Sequence, residues 1–172
     1  MSASSLPRRP RKLGPRRTIS IVGGLYNEEL VNALINSTND ELVRLMPSIS
    51  VPVYRVPGAF EIPVCVKHLL ENSGTDVVIA LGVIVRGQTG HADLVGESVT
   101  KALQELAVQY GKPIIHEVLL VDSKEQAVER CTGEKNRGTE AARAAVTMAE
   151  LFAKLKLTTA PSGPRKSVVA NG

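Results

Sequence analysis

Nine consecutive residues at positions 77–85, VVIALGVIV, include no charged or polar side chain. Most of them are Val or Ile, whose branching at Cβ favours β-strands. A strand that is apolar on both faces must be covered on both faces, and such strands are typical of the centre of a parallel sheet. The run therefore predicts a central parallel strand, and with it an α/β fold.

Segments of strand and helix character alternate along the rest of the chain. Since strands separated by helices pair in parallel with helices on both faces, we expect a three-layer α/β sandwich with a four-stranded parallel sheet. Asn27 and Ser123 are predicted N-caps, and Pro63 suits the first turn of a helix. The predicted strands are 18–22, 51–56, 76–85 and 113–121, and the predicted helices are 28–46, 61–71, 91–110, 123–131 and 139–156.

The net charge of +4 over 172 residues is unevenly distributed. Residues 1–17 contain six basic residues and no acid, residues 158–172 contain two and no acid, and residues 18–157 have a net charge of −4. The prolines of 1–17 predict an extended, disordered arm, and 158–172 a flexible tail. We therefore expect one folded domain at 18–157, and we expect no nucleic-acid partner for it, because the positive excess lies in the two ends.

The sequence indicates neither a membrane protein nor a metalloprotein. Cys65 and Cys131 have neither metal-ligand nor redox spacing, so no zinc site or disulfide framework is predicted. The apolar runs are too short to span a bilayer, and no apolar segment follows the basic N-terminus as it would in a secretory signal. We expect a cytoplasmic protein without metal.

Ligands bind parallel sheets at the carboxyl ends of the strands, so the loops there are the places to search. After the first strand, Tyr26 is either a surface aromatic or a stacking partner for a planar ligand, and Asn27 follows it. After the second, Glu61 is either a dipole-favoured residue at a helix start or an acceptor for ligand hydroxyl groups. The residues alone leave both choices open.

The loop after the third strand, RGQTGHAD at 86–93, has the most distinctive chemistry. Its glycines let the backbone approach a ligand, Thr89 offers a hydroxyl group, and the helix that follows presents N–H groups that suit a phosphate. His91 can transfer protons near neutral pH, and Asp93 lies close enough in sequence to orient it. We favour this interpretation over that of a histidine that merely caps a turn.

The fourth place is the segment that follows the fourth strand. Arg130, Lys135 and Arg137 are either solvated charges or phosphate ligands, since Arg binds phosphate with two parallel hydrogen bonds. The P-loop and dinucleotide-binding motifs are both absent, so neither of those nucleotide sites is predicted.

Four separated motifs resemble those of the lumazine synthase family, and they occur in family order. The resemblance covers 18–156 and implies a flavodoxin-like fold and a reaction without cofactor. In that reaction 5-amino-6-(D-ribitylamino)uracil and 3,4-dihydroxy-2-butanone 4-phosphate give 6,7-dimethyl-8-ribityllumazine, phosphate and water. The motifs are LYNEELVNAL (25–34), VPGAFEIP (56–63), ALGVIVRGQTGHAD (80–93) and EQAVERCTGEKNRGTEAA (125–142).

The resemblance also implies roles for individual residues. His91 matches the proton-transfer catalyst, and Gln88, Thr89 and Arg130 match the phosphate ligands. His116 takes the position of an aromatic that reaches the neighbouring subunit's pyrimidine site. The remaining expected substrate-binding residues are Tyr26, Asn27, Ala59, Phe60, Glu61, Val83, Ile84 and Val85.

Family members are homopentamers, and some assemble as 60-subunit shells; we expect isolated pentamers here. This chain departs from the family pattern at Ala92, His116 and Glu117, where the family has an aromatic, an aromatic and a glycine, and Arg137 is an uncertain match to a family lysine. These departures leave two alternatives open: a riboflavin synthase of the same fold, and a non-catalytic flavin- or lumazine-binding shell protein.

Overall fold

The apolar run at 77–85 forms an inner strand of a four-stranded parallel sheet in the computed structural model, which describes residues 16–159. The strand order is β2-β1-β3-β4, and all three pairings are parallel. In register, Ile19 faces Val77 across the β1–β3 pair and Val78 faces Ile114 across the β3–β4 pair. The strands are β1 (Ile19–Gly24), β2 (Val53–Val56), β3 (Val77–Val85) and β4 (Ile114–Val121).

Five helices cover the two faces of this sheet, as a three-layer sandwich requires. The odd-numbered residues of β3 pack in one core with α1, α4 and α5, and Val78 and Ala80 pack in a second core with α2 and α3. Every residue of β3 up to Val83 is buried, because apolar layers lie on both sides. The helices are α1 (Glu28–Leu45), α2 (Ile62–Asn72), α3 (His91–Tyr110), α4 (Lys124–Thr132) and α5 (Arg137–Thr159).

Several boundaries differ from those predicted by one to three residues, and hydrogen bonding explains two of the differences. β2 begins at Val53 rather than Val51, because Pro52 accepts a hydrogen bond from Ile21 but has no N–H to donate to β1. α5 begins two residues before Thr139, because the side-chain oxygen of Asn136 accepts hydrogen bonds from the amides of Gly138 (2.7 Å) and Thr139 (3.4 Å) and so caps an earlier start.

Other local predictions agree with the structure. Ser123 caps α4 by accepting a hydrogen bond from the amide of Gln126 at 3.2 Å, and Pro63 lies in the first turn of α2. Of the predicted arm at 1–17 and tail at 158–172, only Arg16, Arg17, Thr158 and Thr159 fall within the described residues, and the last two belong to α5.

Candidate active site

A cavity of about 840 Å³ opens at the carboxyl ends of β1 and β3, which is within the usual size range of small-molecule sites. We call it the strand-end cavity. Its walls come from the loops after β1, β2 and β3, from the end of β3 and from the first turns of α3. Ten of the thirteen predicted site residues line it: Tyr26, Asn27, Ala59, Phe60, Glu61, Val83, Ile84, Val85, Thr89 and His91.

Asn27 connects the first loop to β3, but not as the predicted side-chain cap. Its backbone is left-handed, with φ 54° and ψ 47°, and its side chain makes no capping hydrogen bond to α1. Instead, Nδ2 donates to the carbonyl of Val83 at 2.8 Å. The last residue pair of β1 and β3 is Gly23 with Leu81, so the amide of Asn27 supplies a donor where β1 no longer runs beside β3.

Tyr26 lies at the cavity with 75% of its surface exposed. Its ring rests beside Gly58 of the second loop: a Cβ atom at position 58 would lie 3.1 Å from Cδ2 of Tyr26 and 3.1 Å from Oε2 of Glu61. Such distances are shorter than ordinary contacts between carbon atoms. Gly58 thus leaves the space that the Tyr26 ring and the Glu61 carboxylate use.

The second wall is a single 3-10 turn, Ala59–Glu61, which leads into α2. Ile62, at the start of α2, is fully buried and anchors the turn, while 61% of the Phe60 surface is exposed. The amide of Glu61 donates to the carbonyl of Gly58 at 3.3 Å, but the Glu61 carboxylate makes no capping hydrogen bond to the helix. Capping therefore does not explain Glu61, and its carboxylate is available to a ligand.

The loop after β3 and the start of α3 form the third wall. Thr89 and His91 line the cavity, whereas Gln88 is exposed outside it. Within residues 16–159 the His91 ring is exposed and makes no side-chain hydrogen bond. Asp93 makes no direct hydrogen bond to His91 within residues 16–159; its carboxylate instead accepts from Nε of Arg86 at 2.9 Å.

Arg86 joins three elements around this loop. Nη2 of its guanidinium lies 2.8 Å from Oδ1 of Asp93, and Nη1 donates to Oδ1 of Asp122 at 2.5 Å. These two carboxylates raise the pKa of Arg86. Its backbone amide also donates to the carbonyl of Val121, at 2.9 Å.

Arg130, the predicted phosphate ligand of the fourth place, lies exposed in the last turn of α4 and outside the strand-end cavity. Nearby, Arg137 holds the buried Glu117 with two hydrogen bonds of 3.0 Å each. Burial raises the pKa of Glu117 although Arg137 opposes that rise, and the bonds to Glu117 raise the pKa of Arg137. Glu117, one of the departures from the family pattern, is thus the partner of Arg137, the uncertain match to a family lysine.

His116 faces α3 from β4 and also lies outside the strand-end cavity. Its Nε2 is 2.8 Å from Oγ1 of Thr100, and its Nδ1 accepts from the amide of Val118 at 3.2 Å. Burial lowers the pKa of His116. Since Nδ1 accepts, the neutral ring has its proton on Nε2 and donates to Thr100.

Five further residues line the cavity that were not among the predicted site residues: Gly58, Gly87, Ala92, Leu94 and Val95. Leu94 and Val95 follow His91 by three and four residues, so helical spacing places them on the same face of α3. That spacing could have been used to predict both residues as part of the site. Ala92 is buried beside His91.

Among residues 16–159, no three His, Cys, Asp or Glu side chains are grouped so that they could hold a metal ion. In the same residues, no helix has both the length and the apolar composition needed to cross a membrane.

Residues 16–153 match the family model described as 6,7-dimethyl-8-ribityllumazine synthase, and this match spans all of β1 to β4 and the strand-end cavity. The chain belongs to this family. The 6,7-dimethyl-8-ribityllumazine synthases are transferases of riboflavin biosynthesis. Accordingly, the chain condenses 5-amino-6-(D-ribitylamino)uracil with 3,4-dihydroxy-2-butanone 4-phosphate.

Proposed function

We propose that the lumazine synthase reaction takes place in the strand-end cavity, with His91 as the proton-transfer catalyst. The observation that supports this most strongly is the convergence of three loops, separated along the chain, on one cavity. Each contributes a different chemistry: the aromatic ring of Tyr26, the carboxylate of Glu61, and the imidazole of His91. A condensation of two small molecules needs such a combination, because much of the rate comes from holding them together.

The pyrimidinedione ring stacks on Tyr26 in this proposal. The exposed face of that aromatic borders the cavity, and planar rings stack favourably in offset geometry. The ribityl chain then lies along the 3-10 turn, where the Glu61 carboxylate accepts hydrogen bonds from its hydroxyl groups. Ala59 and Phe60 contact the ring and ribityl chain from the same turn, and Val83, Ile84 and Val85 contact the ring edge. Asn27 orients this end of β3.

His91 serves the steps that follow. The amine attacks the ketone and forms a Schiff base with loss of one water, phosphate leaves by elimination, and ring closure releases a second water. Each step moves a proton, and the His91 imidazole is exposed at the cavity and makes no hydrogen bond within residues 16–159, so both of its ring nitrogens are open to the reacting groups.

The phosphate group is held by Gln88, Thr89 and Arg130. Arg130 does not line the cavity of its own protomer, and neither does His116. We infer that a neighbouring copy in a homopentamer brings both residues to each cavity, and that the chain forms isolated pentamers rather than 60-subunit shells. We place the enzyme in the cytoplasm.

A two-substrate assay tests the catalytic roles. Formation of the lumazine chromophore is measured for the wild type, His91→Ala and Arg130→Ala. His68→Ala and Lys154→Ala are matched controls, since both side chains lie on helices outside the cavity. We expect His91→Ala to lower kcat about 100-fold, and Arg130→Ala to raise the KM of the phosphate substrate roughly 10- to 100-fold, as loss of a charged hydrogen bond implies. A His91→Ala variant with wild-type kcat would refute the assignment.

Mixed oligomers test whether each site is shared. Co-refolding His91→Ala with Arg130→Ala restores about a quarter of the sites if two different subunits supply the two residues, and none if one subunit supplies both. Sedimentation of the wild type gives the size of the assembly: a pentamer is expected, and a particle in the megadalton range would contradict that expectation.

A further inference from the structure

The loop at 87–90 has few anchors of its own, although it borders the strand-end cavity. In the described chain, no hydrogen bond involves the amides of Gly87, Gln88 or Thr89, and residues 86–91 are all exposed. A Cβ atom at Gly87 or Gly90 would meet nothing within 4 Å. Packing therefore does not determine the conformation of this loop. It is determined at its two ends.

Arg86 bridges those ends. It immediately precedes the loop, and its guanidinium holds Asp93, which lies in the first turn of α3 two residues beyond His91. The closed segment between them contains both Thr89 and His91. Tying the ends of a short loop reduces the number of conformations that it samples.

The guanidinium is itself held in place by a third element. Asp122, directly after β4, accepts from Nη1, and the backbone amide of Arg86 donates to Val121 at the end of the same strand. One cation thus joins the end of β3, the end of β4 and the start of α3. We call Arg86, Asp93 and Asp122 the Arg86 clamp.

We propose that the Arg86 clamp positions His91 and the phosphate loop for the reaction, and that Arg86 is a positioning residue rather than a phosphate ligand. Its two carboxylate partners occupy the guanidinium and neutralise its charge, so little of that charge remains to attract an anion. This inference rests on the proposed role of His91. In this proposal Arg86 and Asp93 act on the reaction through the position of His91, and neither residue touches the substrate.

The split between kcat and KM gives a readout that separates positioning from phosphate binding. A positioning residue touches neither substrate, so its loss lowers kcat more than it raises the KM of the phosphate substrate. Loss of a phosphate ligand would instead mainly raise that KM. Rates are compared at the pH optimum of each variant, so that a displaced optimum is not mistaken for a lower kcat.

The experiment compares Arg86→Gln, Arg86→Lys, Asp93→Asn and Asp122→Asn with the wild type in the two-substrate assay across pH 5.5–9. Lys67→Gln is the matched control, because it breaks an ion pair with Glu71 that lies on α2, away from the cavity. Circular dichroism and thermal melting establish that each variant is folded.

We expect Arg86→Gln and Asp93→Asn each to lower kcat about 10-fold, because a catalytic group that samples more positions spends less time in the productive one. The KM of the phosphate substrate changes less than kcat in both variants. Arg86→Lys gives an intermediate kcat, because lysine keeps the positive charge but lacks the planar guanidinium that holds both carboxylates. Asp122→Asn has a smaller effect, and Lys67→Gln none.

Wild-type kcat in both Arg86→Gln and Asp93→Asn would overturn the proposal, and so would a raised KM of the phosphate substrate with wild-type kcat in Arg86→Gln. Failure of the proposed function is distinguishable, since it appears as an inactive wild type or an unaffected His91→Ala. Failure of the clamp appears as a normal wild type, an impaired His91→Ala and unaffected clamp variants.

Discussion

Asn27 combines a left-handed backbone with a side-chain hydrogen bond to β3. Substitutions at this position separate what each feature contributes to the free energy of unfolding. Asn adopts positive φ more readily than most residues, whereas Ala at φ 54° brings its Cβ close to the following carbonyl. Gly has no Cβ and tolerates this conformation. Both Asn27→Ala and Asn27→Gly remove the hydrogen bond from Nδ2 to the Val83 carbonyl.

The expected magnitudes follow from these two differences. The lost hydrogen bond costs about 0.5–1.5 kcal/mol in each variant. Ala adds a left-handed penalty of about 1–2 kcal/mol, whereas Gly adds roughly 0.5–1 kcal/mol through the greater freedom of the unfolded chain. We therefore expect the free energy of unfolding to fall by about 2–3 kcal/mol for Ala and by about 1–2 kcal/mol for Gly, from the same sources.

Urea unfolding followed by far-UV circular dichroism measures both values. All samples need the same protein concentration, because the stability of an oligomer depends on it. Asn27→Asp is a third variant that also tolerates positive φ but has no N–H to donate. If Ala were no more destabilising than Gly, the argument from backbone conformation would be wrong; if Asp matched the wild type, the hydrogen bond would contribute nothing.

Three further predictions concern other parts of the chain. Gly138→Ala should lower the free energy of unfolding by about 1–3 kcal/mol, because its Cβ would lie 2.5 Å from the Leu34 carbonyl oxygen, whereas Gly87→Ala, with open space around it, should change little in the same urea titration. Burial raises the pKa of the Cys131 thiol to about 11, so Ellman's reagent at pH 8 should modify Cys65 first and Cys131 only on unfolding; equal native rates would contradict this. Burial also raises the pKa of Glu117 above 4.5, so its contribution favours folding below that pH and is lost as pH rises through the folded-state value. The melting temperature of Glu117→Gln relative to that of the wild type should therefore rise between pH 5 and pH 7.5. A relative fall over this range would contradict the prediction.

The sequence was most informative where burial leaves little choice of residue. β3 lies between two helical layers, so every buried position has to be apolar, and the run at 77–85 is visible without any structure. Helix α1 was equally clear from its spacing. The left-handed conformation of Asn27 was not, since it depends on β1 turning away from β3 at this point.

The cavity residues were predictable from the rule that parallel sheets bind ligands at strand ends, together with the family resemblance. The partners of Asp93 and Glu117 were not predictable. Asp93 pairs with a residue seven positions away, and Glu117 with one twenty positions away on another element. Such pairings depend on where three or more elements meet, and the spacing of residues along one helix or strand does not contain that information.

The close approach of Gly58 to the Tyr26 ring has an evolutionary consequence. A side chain at position 58 would crowd the ring and the Glu61 carboxylate, so substitutions at 26 and 58 should not have independent effects. A lineage that exchanged Tyr26 for a smaller residue would have more room to lose the glycine. One that lost the glycine first would have to shift the ring by a few tenths of an ångström. The effects of positions 26 and 58 are therefore coupled, although the two lie 32 positions apart in the chain.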